Sequence, residues 1–334
     1  MGVICFSSLK GGVGKTTLSL NVAAAYAERG GETLLIDLDP SAHTTRFFLR
    51  GESLPESPLA RLLLSSNFSQ SDSLIDVSVK KKIHLLKEVR NRLVLLPGGA
   101  ELRHFLWGKG ANTFKLLFAK LIHELKPSFD YIVIDTPPDF SVLVRNAIAS
   151  SDLVVVPVDG SAMSIDCLNQ LVTDAAHIRG PEWCIIRSMV SKQASRLRKI
   201  SERRIKENLS VREFSEDDDL DQSDDMIDSE DGFISFVDKT APEAKNESSE
   251  SASPIYLLDS MVFRSEEQNK LSFAAKTAFE NKSTGHLAKQ YKKVAREIDA
   301  LLMVTEEQKS ESNGSDEVFD FSLLSGSGMG SEAR

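Results

Sequence analysis

Lys10-Gly11-Gly12-Val13-Gly14-Lys15-Thr16-Thr17 stands between an apolar run at residues 3–7 and a stretch, 16–29, whose apolar residues recur at helical spacing until Gly30-Gly31 stops them. A strand, a glycine loop and a helix in that order form an anion cradle. Phosphate oxygens crowd against backbone N–H groups, so the loop must dispense with Cβ atoms. The helix N-terminus adds the positive end of its dipole. Lys15 then places a cation on the β- and γ-phosphates, and Thr16 offers a hydroxyl to Mg²⁺. The general phosphate-loop pattern asks for a glycine five residues before Gly14, but Leu9 stands there and a second lysine, Lys10, precedes the paired glycines.

Working outward, apolar four- to six-residue runs alternate with helical patterns. Strands are expected at 33–36, 93–96, 131–134, 153–157, 183–186 and 255–263, and helices at 114–125, 164–178, 194–209 and 287–302. Residues 51–80 are Ser-rich and read as a loop with a short helix. The alternation predicts an α/β fold with a mostly parallel central sheet, flanked by helices on both faces. In such sheets ligands bind beyond the carboxyl ends of the strands. Lys10–Thr17, Asp39 in Asp37-Leu38-Asp39-Pro40, and Asp135 in Asp135-Thr136-Pro137-Pro138 all fall at those ends.

With Lys10 ahead of Gly11-Gly12, the loop is the deviant Walker A form, and here the chain resembles the ParA/MinD family of P-loop ATPases. The resemblance runs from Met1 to about residue 302, and 151–158, 168–171 and 259–264 resemble later family elements. It implies ATP and Mg²⁺ as cofactors, a homodimer formed with ATP, and slow, partner-stimulated hydrolysis. Lys10 would reach across the dimer to the partner's nucleotide. Lys10, Lys15 and Asp39 would be catalytic, with Asp39 orienting the attacking water. Lys10, Gly11, Gly12, Val13, Gly14, Lys15, Thr16 and Thr17 would hold the nucleotide. Thr16, Asp37 and Asp135 would serve the metal, Asp135 as the Walker B carboxylate. Two departures stand out: Ser41 replaces the usual Gln after D-x-D-P, and Phe263-Arg264 replaces Pro-Arg in the late loop, so adenine contacts are not assigned.

The family binds DNA non-specifically through basic residues in its C-terminal half. Here Arg196, Lys199, Arg203 and Lys206 recur at spacings of three and four, which makes one basic stripe on a helix. Such a stripe suits phosphate contacts, which carry no sequence information. The resemblance therefore implies non-specific DNA and a ParB-like activator as partners, in plasmid or chromosome partitioning. A cytoplasmic, nucleoid-associated place goes with it. The alternative is a MinD-like or scaffold ATPase serving secretion, cellulose synthesis or polar placement.

Composition sets the remaining bounds. The chain has 334 residues and a net charge of −9, but the charge is unevenly spread. Residues 215–252 carry −12 and the tail 305–334 carries −5, so the remainder is +8. An acidic, Ser-rich insertion at 215–252 is expected to be disordered, and 305–334 to be a flexible acidic tail. Residues 1–214 and 253–304 would then form a single ATPase domain. We expect the insertion to compete with DNA for the basic stripe. Cys5, Cys167 and Cys184 form no C-x-x-C pair, which excludes an iron–sulfur scaffold, and all three read as core residues of a protein in a reducing compartment. The four tyrosines do not cluster as in a tyrosine autokinase. No apolar run reaches about 18 residues and no basic n-region opens the chain, so neither a membrane span nor a signal peptide is expected. A C-terminal amphipathic membrane helix is likewise not expected in a tail ending in Ser and Gly.

Overall fold

The computed structural model describes residues 1–50, 56–64, 87–106, 109–191, 195–209, 211–214, 255–280 and 285–312. Nine strands form one sheet in the order β3-β4-β2-β5-β1-β6-β7-β9-β8. They are β1 (Gly2–Phe6), β2 (Thr33–Asp37), β3 (Lys87–Arg90), β4 (Leu93–Leu96), β5 (Tyr131–Asp135), β6 (Leu153–Val158), β7 (Glu182–Val190), β8 (Val211–Phe214) and β9 (Ile255–Phe263). Among the described strands only β3 runs antiparallel, paired to β4 at one edge. The central strands are buried along their whole length on both faces, which is why they read as unbroken apolar runs.

Two hydrophobic clusters lie on opposite faces of this sheet. One face carries α3 (Pro58–Leu64), α4 (Lys109–Leu125), α5 (Val142–Ala149) and α6 (Ala162–Ala175), together with Ile205 of α7 (Ser195–Asn208). The other carries α1 (Lys15–Glu28), α8 (Glu266–Phe273) and α9 (Gly285–Ser312). A short helix, α2 (His43–Phe48), follows β2. The expected architecture is therefore the one observed. Buried Cys5 and Cys184 belong to these clusters, but Cys167 is half-buried rather than core.

Five of these elements were not foreseen, among them the six-residue α2. β3 (Lys-Glu-Val-Arg) and β8 (Val-Arg-Glu-Phe) are four-residue edge strands whose charged residues hide any apolar run. α5 and α8 are eight residues each, too short for a periodic signal. In addition, α9 continues to Ser312, past the point where the flexible tail was expected to begin. The 215–252 insertion lies outside the described residues, as does the tail beyond Ser312.

The parallel register decides where the chemistry falls. Phe6 of β1 and Asp37 of β2 both align with Asp135 of β5. The loop after β1, the Asp37–Asp39 turn and Asp135 therefore emerge at one edge of the sheet, on adjacent strands.

Candidate nucleotide site

The residues after β1 wrap around a cavity of about 390 Å³. Gly12 and Gly14 adopt φ values of +78° and +85°, a left-handed backbone that glycine enters without strain. A Cβ on Gly14 would also stand 2.9 Å from the Ser188 hydroxyl. Val13 turns inward and is buried, while Gly11, Gly12, Gly14, Thr16 and Thr17 line the cavity. Gly14 enters α1 as its N-cap without a capping side chain, so the first helical N–H groups are left to an anion.

Lys15 is 7% exposed. Its ammonium donates to the Thr136 carbonyl and lies 3.9 Å from Asp135 Oδ1. Asp135 is fully buried. Its Oδ2 accepts from the Thr44 hydroxyl at 2.7 Å, but Oδ1 has no hydrogen-bond partner. Asp37 is also fully buried, and both its oxygens are engaged. Oδ2 accepts from the Thr45 N–H and hydroxyl, each at 2.7 Å, and Oδ1 accepts from the Asp39 N–H at 3.2 Å. Burial, and then the negative charge of Asp135 beside it, push the Asp37 carboxyl up to about 7, against the pull of the Thr45 bonds. The Thr45 hydroxyl accepts in turn from Gly98 N–H, and a Cβ on Gly98 would collide with the Asp37 carbonyl. Asp37 thus ties the turn after β2 to α2 and to the loop after β4.

These groups fit a magnesium–phosphate ligand. Two buried carboxylates lie together with one lysine, and one of their oxygens accepts no hydrogen bond among the described residues, which leaves room for a further cation. Among the described residues no cluster of three His, Cys, Asp or Glu side chains could hold a metal by itself. Mg²⁺ characteristically takes one or two carboxylates and completes its shell with phosphate oxygens and water.

Asp39 is buried at the cavity wall. Its Oδ1 accepts from Ser41 N–H at 2.7 Å, and Oδ2 lies 3.9 Å from Nδ1 of exposed His43. Ser41, the residue that departs from the family pattern, thus positions this carboxylate through its backbone. Lys10 also lines the cavity, but its ammonium is held within its own chain. It donates to Asp159 Oδ2 at 2.5 Å and to the Ser161 hydroxyl at 2.7 Å. Burial raises the Asp159 carboxyl, but the bonds from Lys10 and Ser161 outweigh it and hold the group below its ordinary value. Asp159 and Ser161 follow β6 with no motif around them, so sequence reasoning missed both. It also missed Thr44 and Thr45, whose only signal was their place just after Asp37–Pro40.

The cavity is also lined by Ser188 and Met189 of β7, Val262 and Phe263 of β9, Gln268 and Asn269 of α8, and Tyr291 of α9. Met189 has φ +55°, where β7 shifts register against β9.

The basic stripe lies on α7, away from this cavity. Lys199 is exposed, and the Arg196 side chain is outside the described residues. Arg203 pairs with Glu207 at 2.6 Å, and Lys206 pairs with Glu202 at 3.2 Å. Glu202 also receives Arg187 at 2.6 Å. The stripe is therefore interleaved with acids on its own helix, one of which, Glu207, lies just past the stretch read as basic. Among the described residues no helix is long and apolar enough to cross a membrane.

Similarity to known proteins agrees with this geometry. The AAA domain family model matches residues 1–181. The chromosome partitioning protein ParA of Myxococcus xanthus is 31% identical over 174 residues, covering 51% of this chain and 56% of that protein. The maintenance of carboxysome distribution protein A of Synechococcus elongatus is 28% identical over 174 residues, covering 50% and 62%. The chain spans about three fifths of the length of the curated relatives it matches. In fold, it resembles the crystal structure of a plasmid partition protein from Borrelia burgdorferi bound to AMPPNP. That likeness has a TM-score of 0.57 at 18% identity, over 89% of this chain and 98% of the other. By the span of the family match and the glycine loop within it, the chain belongs to the AAA-domain family of P-loop proteins, in its ParA group.

Proposed function

We propose that the chain is an ATPase that binds ATP with Mg²⁺, pairs with a second copy while ATP is bound, and holds DNA without sequence preference in that state. A ParB-like activator then triggers hydrolysis, and the cycle partitions a plasmid or chromosome. The observation that carries this reading is the placing of Lys10, Lys15 and Asp39 around one cavity at the strand ends, with Asp135 buried 3.9 Å from the Lys15 ammonium.

In this cycle the N–H groups of residues 11–17 and the Lys15 ammonium hold the phosphates. Thr16 and the Oδ1 atom of Asp135, with Asp37 beside it, would hold Mg²⁺, which would supply charge neutralisation for the phosphates. Asp39 holds a water for attack. Lys10 exchanges Asp159 and Ser161 for the nucleotide of the second copy. DNA is held by Arg196, Lys199, Arg203 and Lys206, which places the protein on the nucleoid.

A second reading is placement of a protein assembly, and the carboxysome-distribution relative favours it. One measurement separates the two: ATP turnover of the full chain with and without DNA and a ParB-like partner. Stimulation by DNA together with that partner supports partitioning. ATP turnover indifferent to both removes it and leaves the placement reading. Absence of ATP binding overturns both.

A further inference from the structure

The outer face of α7 sets an exposed apolar residue among cations. Ser201 and Ile205 are buried, whereas Lys199, Ile200, Arg203, Arg204 and Lys206 are exposed. Ile200 leaves 43% of its surface in solvent. A lone exposed apolar side chain is ordinary on its own. This one follows Lys199 and shares its helix face with Arg203 and Arg204, three and four residues on. Lys199 and Arg204 have no ion-pair partner among the described residues. Over its length α7 carries six cations against two acids.

The chain next leaves the sheet beside this face. β7 and β8 both run parallel to β9, so α7, which joins them, runs back against the strands. Its Ser201 lies at their carboxyl edge, since a Cβ on Gly160, just past β6, would stand 3.1 Å from the Ser201 hydroxyl. From Asn208 back to Ile200 is about 12 Å of helix rise. From Val211 forward to Phe214 is about 10 Å of strand rise. The chain therefore leaves β8 nearly level with Ile200. Residues 215–254, which lie outside the described residues, join Phe214 to Ile255. Their sequence holds ten acids and no base in 215–232, then Phe233-Ile234-Ser235-Phe236-Val237, then seventeen residues back to β9. The apolar stretch stands in the middle of the span. A flexible chain of this length covers about 25 Å from Phe214, enough to cross one strand, about 5 Å wide, and reach a helix above the sheet.

We propose that the outer face of α7 is a docking surface for residues 216–237 of its own chain. The ten acids meet the cations of α7, and Phe233–Val237 covers Ile200. Charge complementarity favours this occupant, and the tether supplies it at an effective concentration of about 1 mM. Even a contact of about 0.1 mM affinity would then occupy α7 in about nine chains of ten, and would weaken any competing ligand about tenfold. The competing ligand is DNA, a polyanion sought by the same cations; this consequence rests on the DNA reading above, whereas the docking does not.

Carbodiimide coupling of the unaltered full chain tests the docking, because it joins an amine only to a carboxylate in contact with it. Lys199 is expected to couple to acids between Glu216 and Asp231 of the same chain, and less so at about 0.5 M salt, where exposed charges are screened. Coupling to no acid of that stretch overturns the proposal. So does coupling only to a second copy, seen in a mixture of isotopically light and heavy chains. DNA affinity tests the consequence. The full chain carrying Phe233→Ser and Phe236→Ser is expected to bind DNA of arbitrary sequence about tenfold more tightly at low salt. Unchanged affinity there, and in a chain whose ten acids are replaced by their amides, overturns the competition. A protein that binds no DNA in any of these forms overturns the DNA reading instead, and the coupling result alone then decides the docking.

Discussion

Two parts of the cavity wall are built on different principles. In the phosphate loop, the working groups are mostly backbone N–H donors, set by two left-handed glycines and one helix start within residues 10–17. In the other part, the lining groups are side chains from β7, β9, α8 and α9, brought together from residues 188 to 291. A ligand whose charge is common to every nucleotide is met by the part of the chain with the least side-chain choice. The part of a nucleotide that differs would be met by side chains, where substitution is easy. Damage to the first part should therefore affect all nucleotides alike, and damage to the second should affect them unequally.

The largest effect expected is from Lys15→Ala. Truncating one partner of a buried charge pair costs about 3–5 kcal/mol, so affinity for ATP and GTP should fall together by at least about 100-fold. Dimerisation driven by ATP should disappear in analytical ultracentrifugation. A variant that still dimerises with ATP would break the assignment of the loop. Next comes Asp135→Asn, which keeps the contact to Thr44 but removes the charge offered to the metal. Titrations with and without Mg²⁺ should then give the same nucleotide affinity, where the unaltered chain should gain about tenfold or more from the metal.

Gly14 stands where the two parts touch, since its missing Cβ faces Ser188 and Met189. Gly14→Ala forces a non-glycine residue into a left-handed backbone at roughly 1–2 kcal/mol and pushes against β7. Thermal unfolding should shift down by a few degrees, and affinity for every nucleotide should drop. Release of Lys10 by Asp159→Ala should act in the other direction. The half-buried pair contributes at most about 1 kcal/mol per chain, so ATP-dependent pairing, which would release two such contacts, should tighten by up to roughly thirtyfold, seen by sedimentation. Weaker pairing would mean that Asp159 supports the dimer.

The smallest effect is expected on α7. Arg203→Ala should weaken DNA binding by only a few-fold and lower the slope of log affinity against log salt by about 1. Glu207→Ala should strengthen binding, because Glu207 occupies Arg203 in the free chain.

The same contrast explains how much could be read from the sequence. The central strands were legible because burial on both faces leaves only apolar residues. Lys10–Thr17, Asp39 and Asp135 were legible because a backbone cradle and a strand-end carboxylate have local signatures. Thr44, Asp159 and Ser161 were not, since each acts on a residue distant in sequence, and Thr45 was not, since it reaches Asp37 across a turn that carries no motif. Gln268 lies in a polar eight-residue helix that resembles any solvated turn. Its side chain is tied to Tyr291, on a different helix, by a hydrogen bond that no local pattern announces. Lys10 was legible as a residue, but its partner in the free chain was not.

The contact between Lys10 and Asp159 has one further consequence. In the proposed dimer each copy would give up its own latch before pairing, so the handicap would enter twice. If about one chain in six is unlatched, association is weakened by roughly thirtyfold relative to chains that are always open. A modest ion pair on one protomer thereby becomes a threshold in protein concentration. Below it the chains stay single even with nucleotide in place, and above it pairing sets in together with all that depends on it.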